Sequence, residues 1–191
     1  MKKFYVFRHG ETELNRQKRW QGSGMDYDLT AVGVAQAEEL AEKLKGKDIE
    51  IIYSSPLIRA LHTAETVANR LKVSVEVKDD LRECFYGEAE GRLISDLQKE
   101  MPEIVNNWSL PGDGALRFPG GESRGEALTR VLDVLGRLEY EQFDTAGIAI
   151  HGGTMAALLN HFGYKFAQIP NCAVFPLRFE KGTGTVEGEL F

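Results

Sequence analysis

The stretch Phe4-Tyr5-Val6-Phe7-Arg8-His9-Gly10 runs from aromatic and β-branched residues straight into a polar, glycine-containing turn. It predicts a buried strand over Lys3–Arg8 with an Arg-His pair at its carboxyl end. The pattern recurs at Ile49–Tyr53, which leads into Ser54-Ser55-Pro56, and at Ile148–Ile150, which leads into His151-Gly152-Gly153. Helical segments lie between. Thr30 is placed to N-cap a helix whose Val34, Ala37, Leu40, Ala41 and Leu44 share one face, with Gly46 as its stop. Pro56 opens a helix to about Leu71, where its missing N–H costs nothing. Ser95 with Gln98 fits a capping box for a helix towards Trp108, bent or split by Pro102, and Ser123 with Glu126 fits another towards Gln142. A further helix is expected from about Thr154 to Phe162. Ser74–Val77, Val174–Phe179 and Thr185–Gly188 read as strands, the last two joined by Gly182-Thr183-Gly184. Strands alternating with helices predict an α/β fold, an α/β/α sandwich with a mostly parallel sheet, as one domain over 1–191. In such sheets ligands bind outside the carboxyl ends of the strands, so the three polar turns converge on one edge.

Bulk properties narrow the function. The chain of 191 residues is 42% hydrophobic and 27% charged, which fits a globular protein and excludes a disordered tail, a collagen-like chain and a coiled coil. Lys plus Arg number 23 against 29 Asp plus Glu, a formal charge of −6, which argues against a nucleic-acid partner. An anionic ligand would have to be drawn in by a local cluster of positive groups. Cys84 and Cys172 have no metal-ligand or disulfide-framework spacing. No apolar run approaches the ~20 residues that span a bilayer, so no membrane partner is expected. The first residues lack a small-residue cleavage site and read as a strand, which makes the cytoplasm the expected location.

His9 and His151 both stand at strand ends and both precede a glycine. Two histidines with Glu11 or Glu83 would supply enough ligands for a metal, but no HxxxH, HxH or HExxH spacing occurs. Arg8 beside His9 favours an anion instead, since guanidinium is a pre-organised fork for phosphate or carboxylate. Arg59, four residues after Ser55, adds a second cation near a helix N-terminus. There is no P-loop and no GxSxG elbow, and Gly22-Ser23-Gly24 lacks the third glycine of a dinucleotide fingerprint. His62 and His161 fall within helical stretches and read as packing or exposed residues. The Gly- and Pro-rich stretch Leu110–Glu122 reads as a mobile loop near the site.

Taken in order, these blocks resemble the histidine phosphatase superfamily, the phosphoglycerate mutase-like proteins. Arg8-His9-Gly10-Glu11-Thr12 with Asn15 is similar to its signature. Arg19-Trp20-Gln21-Gly22, Ser54-Ser55-Pro56-Leu57 with Arg59, Leu81-Arg82-Glu83, Pro119-Gly120-Gly121-Glu122-Ser123 and His151-Gly152-Gly153 follow in the family's order. His62, Ala89 and Gly153 are departures from its commoner residues, and none removes a catalytic position.

The resemblance implies a metal-independent phosphomonoester hydrolase that uses no cofactor. His9 would attack phosphorus through one ring nitrogen while the other donates to a backbone carbonyl. Arg8, Arg59 and a protonated His151 would hold the phosphoryl oxygens. Asn15, Gln21, Gly22 and Gly152 would bind substrate. Glu83 would protonate the leaving oxygen, with Glu11, Glu88 and Glu90 as the competing carboxylates. The short stretch from Glu83 to His151 favours a phosphatase over a mutase, which must keep water from the phosphohistidine. A catalytically silent binding protein would be expected to lack one of these five residues. The expected partner is a small phosphate monoester, with α-ribazole 5′-phosphate as the leading substrate. Met25, Tyr27, Phe85, Tyr86 and Leu110–Phe118 are expected to set specificity.

Overall fold

The computed structural model describes every residue of the chain except Asp113 and Ala167. Six strands form one sheet in the order β3-β2-β4-β1-β5-β6, where β1 is Lys2–Arg8, β2 Ile51–Ser54, β3 Ser74–Val77, β4 Thr145–Ile150, β5 Val174–Glu180 and β6 Thr183–Val186. The first four are mutually parallel and the last two antiparallel, so the sheet is mixed but mostly parallel. Alternation along β1 divides the core. Phe4 and Val6 face α6 (Arg124–Leu138) and α7 (Gly152–His161), while Tyr5 and Phe7 face α2 (Ala31–Lys43) and α3 (Ile58–Leu71). These two apolar layers make the α/β/α sandwich, because helices carrying one apolar stripe must bury it on a sheet face.

The helix signals act where a side chain can reach an orphan N–H. Thr30 caps α2 through the Gly33 N–H, and Ser123 with Glu126 closes a full capping box on α6. Two predicted starts differ. The helix after Pro56 begins only at Ile58, with the Leu57 N–H taken by the Ser55 hydroxyl at 3.2 Å. Ser95 and Gln98 form no capping box. The segment starts one residue earlier, at α4 (Ile94–Glu100), and Pro102 splits it, standing first in α5 (Pro102–Asn107). The last hairpin turns at Lys181 and Gly182, both at positive φ as a tight two-residue turn requires, so β6 starts at Thr183, two positions before the predicted Thr185.

Pairing aligns the three polar turns. Arg8 stands opposite Ile150 and Ser54 opposite Ala149, so the carboxyl ends of β1, β2 and β4 finish at one edge. A short helix α1 (Glu13–Arg16) follows β1 there. Above the edge lies a third apolar cluster, in which Cys84, Tyr86, Ala89, Leu97, Trp108, Phe118 and Ala127 pack with Trp20. Leu110–Glu122, expected to be a mobile loop, is tied at several points. The Arg124 guanidinium donates to the carbonyls of Asn107, Trp108 and Leu110, Leu116 and Gly114 accept from the N–H groups of Arg124 and Gly125, and Phe118 is fully buried. Asp113, within that stretch, lies outside the described residues. No helix among the described residues is long and apolar enough to cross a membrane.

Candidate active site

His9 follows β1 and is buried, with only 3% of its surface exposed. Its N–H is held by the Ile150 carbonyl and its own carbonyl by Cys172 and Asn171, so the ring has little freedom. Nδ1 lies 2.7 Å from the Gly10 carbonyl, which makes it the protonated nitrogen and leaves Nε2 with a lone pair. Burial, then the charges of Arg59 and Arg8, lower the His9 pKa well below the ordinary value, against the opposing pull of the Gly10 carbonyl. The ring is therefore neutral.

His151 follows β4 as the N-cap of α7, with its ring centroid 5.2 Å from that of His9. Its Nε2 is 2.8 Å from the Ser55 hydroxyl, and its Nδ1 has no partner among the described residues. The sequence expects a protonated His151 against a bound phosphate, whereas the groups around the ring in the free chain disfavour the charged form. Burial, followed by Arg59 and His9, holds its pKa well below the usual range, so this ring too is neutral at neutral pH.

Arg59 is fully buried, which is rare for a guanidinium. It donates through Nη1 to the Met25 carbonyl and through Nη2 to the Gly22 carbonyl, both at 3.1 Å, and Asp26 lies 3.7 Å away. Burial lowers its pKa to about 10, still cationic at neutral pH. Arg8 donates through Nη1 to the Ile169 carbonyl at 2.6 Å. The Nε–H groups of Arg8 and Arg59, like Nδ1 of His151, are buried with no partner among the described residues.

Glu83 is buried beside the start of α7. Its Oε2 accepts from the Gly153 N–H at 2.8 Å, and its Oε1 accepts from the N–H groups of Thr154 at 3.0 Å and Cys84 at 2.9 Å. A helix N-terminus thus holds this carboxylate at the strand edge. Two of the three competing carboxylates are engaged elsewhere: Glu11 accepts from the Thr30 hydroxyl, and Glu90 from the N–H groups of Tyr86 and Gly24.

A cavity of about 360 Å³ opens here, with Arg8, His9, Asn15, Gln21, Glu83 and Gly152 among its lining residues. Arg59 and His151 lie behind that surface. Asn15 accepts from Asn171 at 3.0 Å through Oδ1, and Gln21 is fixed by the Thr12 hydroxyl and the Met25 carbonyl. Gly152 brings backbone close to Arg8, since a Cβ there would lie 3.3 Å from Nε. Gly22 does not reach the cavity. Its carbonyl anchors Arg59, and the space its side chain would need is filled by Glu90 and Tyr86.

The far side of the cavity differs from the specificity set read from sequence. Tyr86 lines it, while Met25, Tyr27, Phe85 and the described residues of Leu110–Phe118 do not. Trp20, Trp108, Ser109, Phe166, Gln168 and Ile169 do. Of these, Trp20 alone stands in a motif block, Arg19-Trp20-Gln21-Gly22, and no motif marks the others. Tyr86, three residues after Glu83, joins Trp20, Trp108 and Phe118 in an edge-to-face cluster, the last three brought from distant parts of the chain. Among the described residues, no group of three or more His, Cys, Asp or Glu side chains is placed to hold a metal ion.

The family profile described as "Histidine phosphatase superfamily (branch 1)" matches residues 4–189. "Phosphoserine phosphatase 1" of Hydrogenobacter thermophilus is 31% identical over 83% of this chain and 74% of its own. "Probable phosphoglycerate mutase GpmB" of Proteus mirabilis is 31% identical over 98% of this chain and 90% of its own. Among solved structures, mycobacterial glucosyl-3-phosphoglycerate phosphatase in complex with VO3 superposes with a TM-score of 0.87 at 25% identity, covering 98% of each chain.

Proposed function

The chain belongs to the histidine phosphatase superfamily, branch 1, and is a phosphatase; from that premise we propose that it hydrolyses a small phosphate monoester through a phosphohistidine on His9. The observation that carries this is a set of buried nitrogens at the strand edge with no partner among the described residues: Nε of Arg8, Nε of Arg59 and Nδ1 of His151. Buried N–H groups are rarely left unpaired, so three at one edge indicate a ligand with several acceptor oxygens. A phosphate monoester carries about −1.5 to −2 charges at neutral pH, which two buried guanidinium groups offset without a third cation.

His9 attacks phosphorus through Nε2 while Nδ1–H stays on the Gly10 carbonyl. The P–O bond to the leaving group breaks as the P–N bond forms. Arg8, Arg59 and the neutral His151, donating through Nδ1–H, hold the charge that spreads over the phosphoryl oxygens. Ser55 fits that tautomer, since its hydroxyl can donate to Nε2. Glu83, at the cavity surface, gives its proton to the leaving oxygen. Its carboxylate then takes a proton from the water that cleaves the phosphohistidine. Asn15 and Gln21 add hydrogen bonds at the cavity surface, and Gly152 lets the phosphate approach the backbone.

The substrate is a phosphate monoester whose organic part meets an aromatic wall. The sequence leans towards α-ribazole 5′-phosphate, and such a wall would suit an organic group with apolar surface. The three relatives above are named for other phosphorylated metabolites or reactions on them. Release of phosphate from 4-nitrophenyl phosphate, followed by a panel of phosphorylated metabolites, tests both levels. Phosphate trapped on His9 after acid quench is the expected result, and turnover without any trapped phosphate would overturn the covalent route. The full-length match to a named mutase makes phosphoglycerate interconversion the control assay.

A further inference from the structure

One side chain holds both the backbone of His9 and the amide of Asn15, and the scheme above gives it no role. Asn171 stands in the irregular chain just before β5, 156 residues from Asn15. Its Nδ2 donates to the His9 carbonyl at 3.1 Å and to Asn15 Oδ1 at 3.0 Å. An amide nitrogen carries two N–H groups, so both are used. Oxygen and nitrogen cannot be exchanged in this amide. A backbone carbonyl only accepts, so the atom that faces His9 is the nitrogen. The same carbonyl accepts from the Cys172 N–H at 3.2 Å, which fills its second site. Cys172 takes a left-handed φ of 57°, a conformation that a residue other than glycine keeps only where its surroundings impose it. The chain turns there so that a side chain and the next N–H meet one oxygen.

Asn15 takes its orientation from this contact. It sits in α1, where its Oδ1 also accepts from the Thr12 N–H, at the longer distance of 3.3 Å. Two donors from separate parts of the chain thus fill both acceptor sites of Oδ1. What remains of the Asn15 amide is Nδ2 with its two N–H groups, and Asn15 lines the active cavity together with Arg8 and His9. Turned the other way, the amide would present an oxygen to a phosphate, acceptor against anion. Asn171 does not line that cavity and borders a separate one of about 220 Å³. It therefore acts through Asn15 and His9 rather than on the substrate.

We propose that Asn171 is a positioning residue for the phosphate site: its amide locks that of Asn15 with both N–H groups towards the phosphoryl oxygens and ties it to the main chain of the nucleophile. The inference rests on the reading of Asn15 as a phosphate contact and of His9 as the nucleophile. The leaving group takes no part in this arrangement, so the effect is the same for every phosphate monoester. No bond forms or breaks at Asn171.

Asn171→Ala, made alone and together with Asn15→Ala, tests this with orthovanadate as the phosphate mimic. Alone it should weaken inhibition by orthovanadate about 5- to 10-fold, the worth of one hydrogen bond. It should lower kcat/KM for an alkyl phosphate and for 4-nitrophenyl phosphate by about that same factor, unlike a change at the proton donor. In the Asn15→Ala background it should cost less than about twofold more, because the amide it steers is gone. Parental inhibition in Asn171→Ala would overturn the proposal, as would losses that add in full to those of Asn15→Ala. Asn171→Asp covers the case in which alanine loosens the fold, since it keeps the shape of the side chain and removes the donor. Its carboxylate should cost at least as much as alanine at pH 7.0. Part of that loss, relative to the parent, should return at pH 5.5, where the two acceptor oxygens facing the carboxyl favour its protonated form, a donor again. A loss that does not change over that range would overturn the donor role. Parental orthovanadate inhibition in Asn15→Ala alone would sink the reading of Asn15 and the proposal with it. A loss in Asn15→Ala that adds in full to that of Asn171→Ala would sink the positioning role alone.

Discussion

The floor of the cavity and its wall are built by opposite means. On the floor, the half-buried Arg8 and the buried His9, Arg59 and His151 stand at strand ends and in the first turn of α3. Almost every one is tied to a backbone carbonyl or a neighbouring hydroxyl. On the wall, Trp20, Tyr86 and Trp108 meet edge to face from separate stretches of chain, with Phe118 behind them. Sheet geometry cannot shift without breaking ladder hydrogen bonds, so the floor is rigid and its donors stay aimed at one place. Ring packing tolerates exchange of similar shapes at modest cost. Chemistry therefore belongs to the floor and selectivity to the wall, and each assignment can be broken separately.

The largest effect expected is at His9. His9→Ala should remove turnover altogether, by on the order of 10⁴-fold or more, since a residue acting as the nucleophile has no substitute. Its thermal midpoint should stay near that of the parent chain, because the His9 backbone hydrogen bonds survive the change. Near-normal turnover in this variant would remove the floor from the chemistry. Next comes Glu83→Gln. The amide keeps the size of the side chain but has no acidic proton, so alkyl phosphates should lose about 10²–10⁴-fold in the phosphorylation step. A rapid burst with 4-nitrophenyl phosphate should persist in a stopped-flow trace. Equal losses for both substrates in that step would return Glu83 to a structural role.

The same contrast explains what was legible in the sequence. Arg8, His9, Arg59, Glu83 and His151 stand in short motifs at strand ends or helix starts, where pairing register alone decides where a side chain goes. One strand, Phe4 to Arg8, was enough to place the edge. Asn15, Gln21 and Gly152 were found by the same motifs. Gly22 belongs to one of them, but it serves Arg59 through a carbonyl that no residue identity reveals. Ser95 and Gln98 had the right spacing for a cap, yet Leu93 was already the N-cap of α4. Trp108, Phe166 and Ile169 arrive through irregular chain between elements and carry no periodicity. The neutrality of His151 was also hidden, because it follows from three-dimensional burial rather than from neighbours in the chain.

A smaller effect should follow from that neutrality. His9 and His151 both have pKa values lowered well below the ordinary 6.5 in the folded chain. As pH falls below about 6.5, the unfolded chain takes up protons that the folded rings refuse, so stability falls with pH. Above 6.5 the pair contributes no pH dependence. Each ring adds a slope of at most about 1.4 kcal/mol per pH unit below that point. Urea unfolding at pH 7.0, 6.0 and 5.5 should show this loss, and His9→Ala should remove about half of it. An identical slope in parent and variant would mean that the ring of His9 protonates in place and that the floor is not a low-dielectric site.

The smallest expected effect decides which residues form the wall. Phe85 follows Cys84 and was the obvious aromatic from sequence, but its ring is 43% exposed and lies against Gly24 rather than in the cavity. Phe166 comes from the opposite end of the chain and lines the cavity. An apolar contact between a phenyl ring and the organic part of a substrate, made equally in ground and transition states, is worth about 1–2 kcal/mol. Such a contact sets KM and leaves kcat unchanged. Phe166→Ala should therefore raise KM for the preferred substrate about 5- to 30-fold at constant kcat. For 4-nitrophenyl phosphate, whose ring is smaller than most organic groups of that size of cavity, the increase should be less. Phe85→Ala should change neither constant by more than about twofold. If Phe85→Ala raised KM and Phe166→Ala did not, selectivity would sit with the residues chosen from sequence, and the wall would have to be redrawn around Gly24 and Phe85. If Phe166→Ala lowered kcat as far as KM rose, the wall would be contributing to the transition state, and the division between a chemical floor and a selective wall would fail.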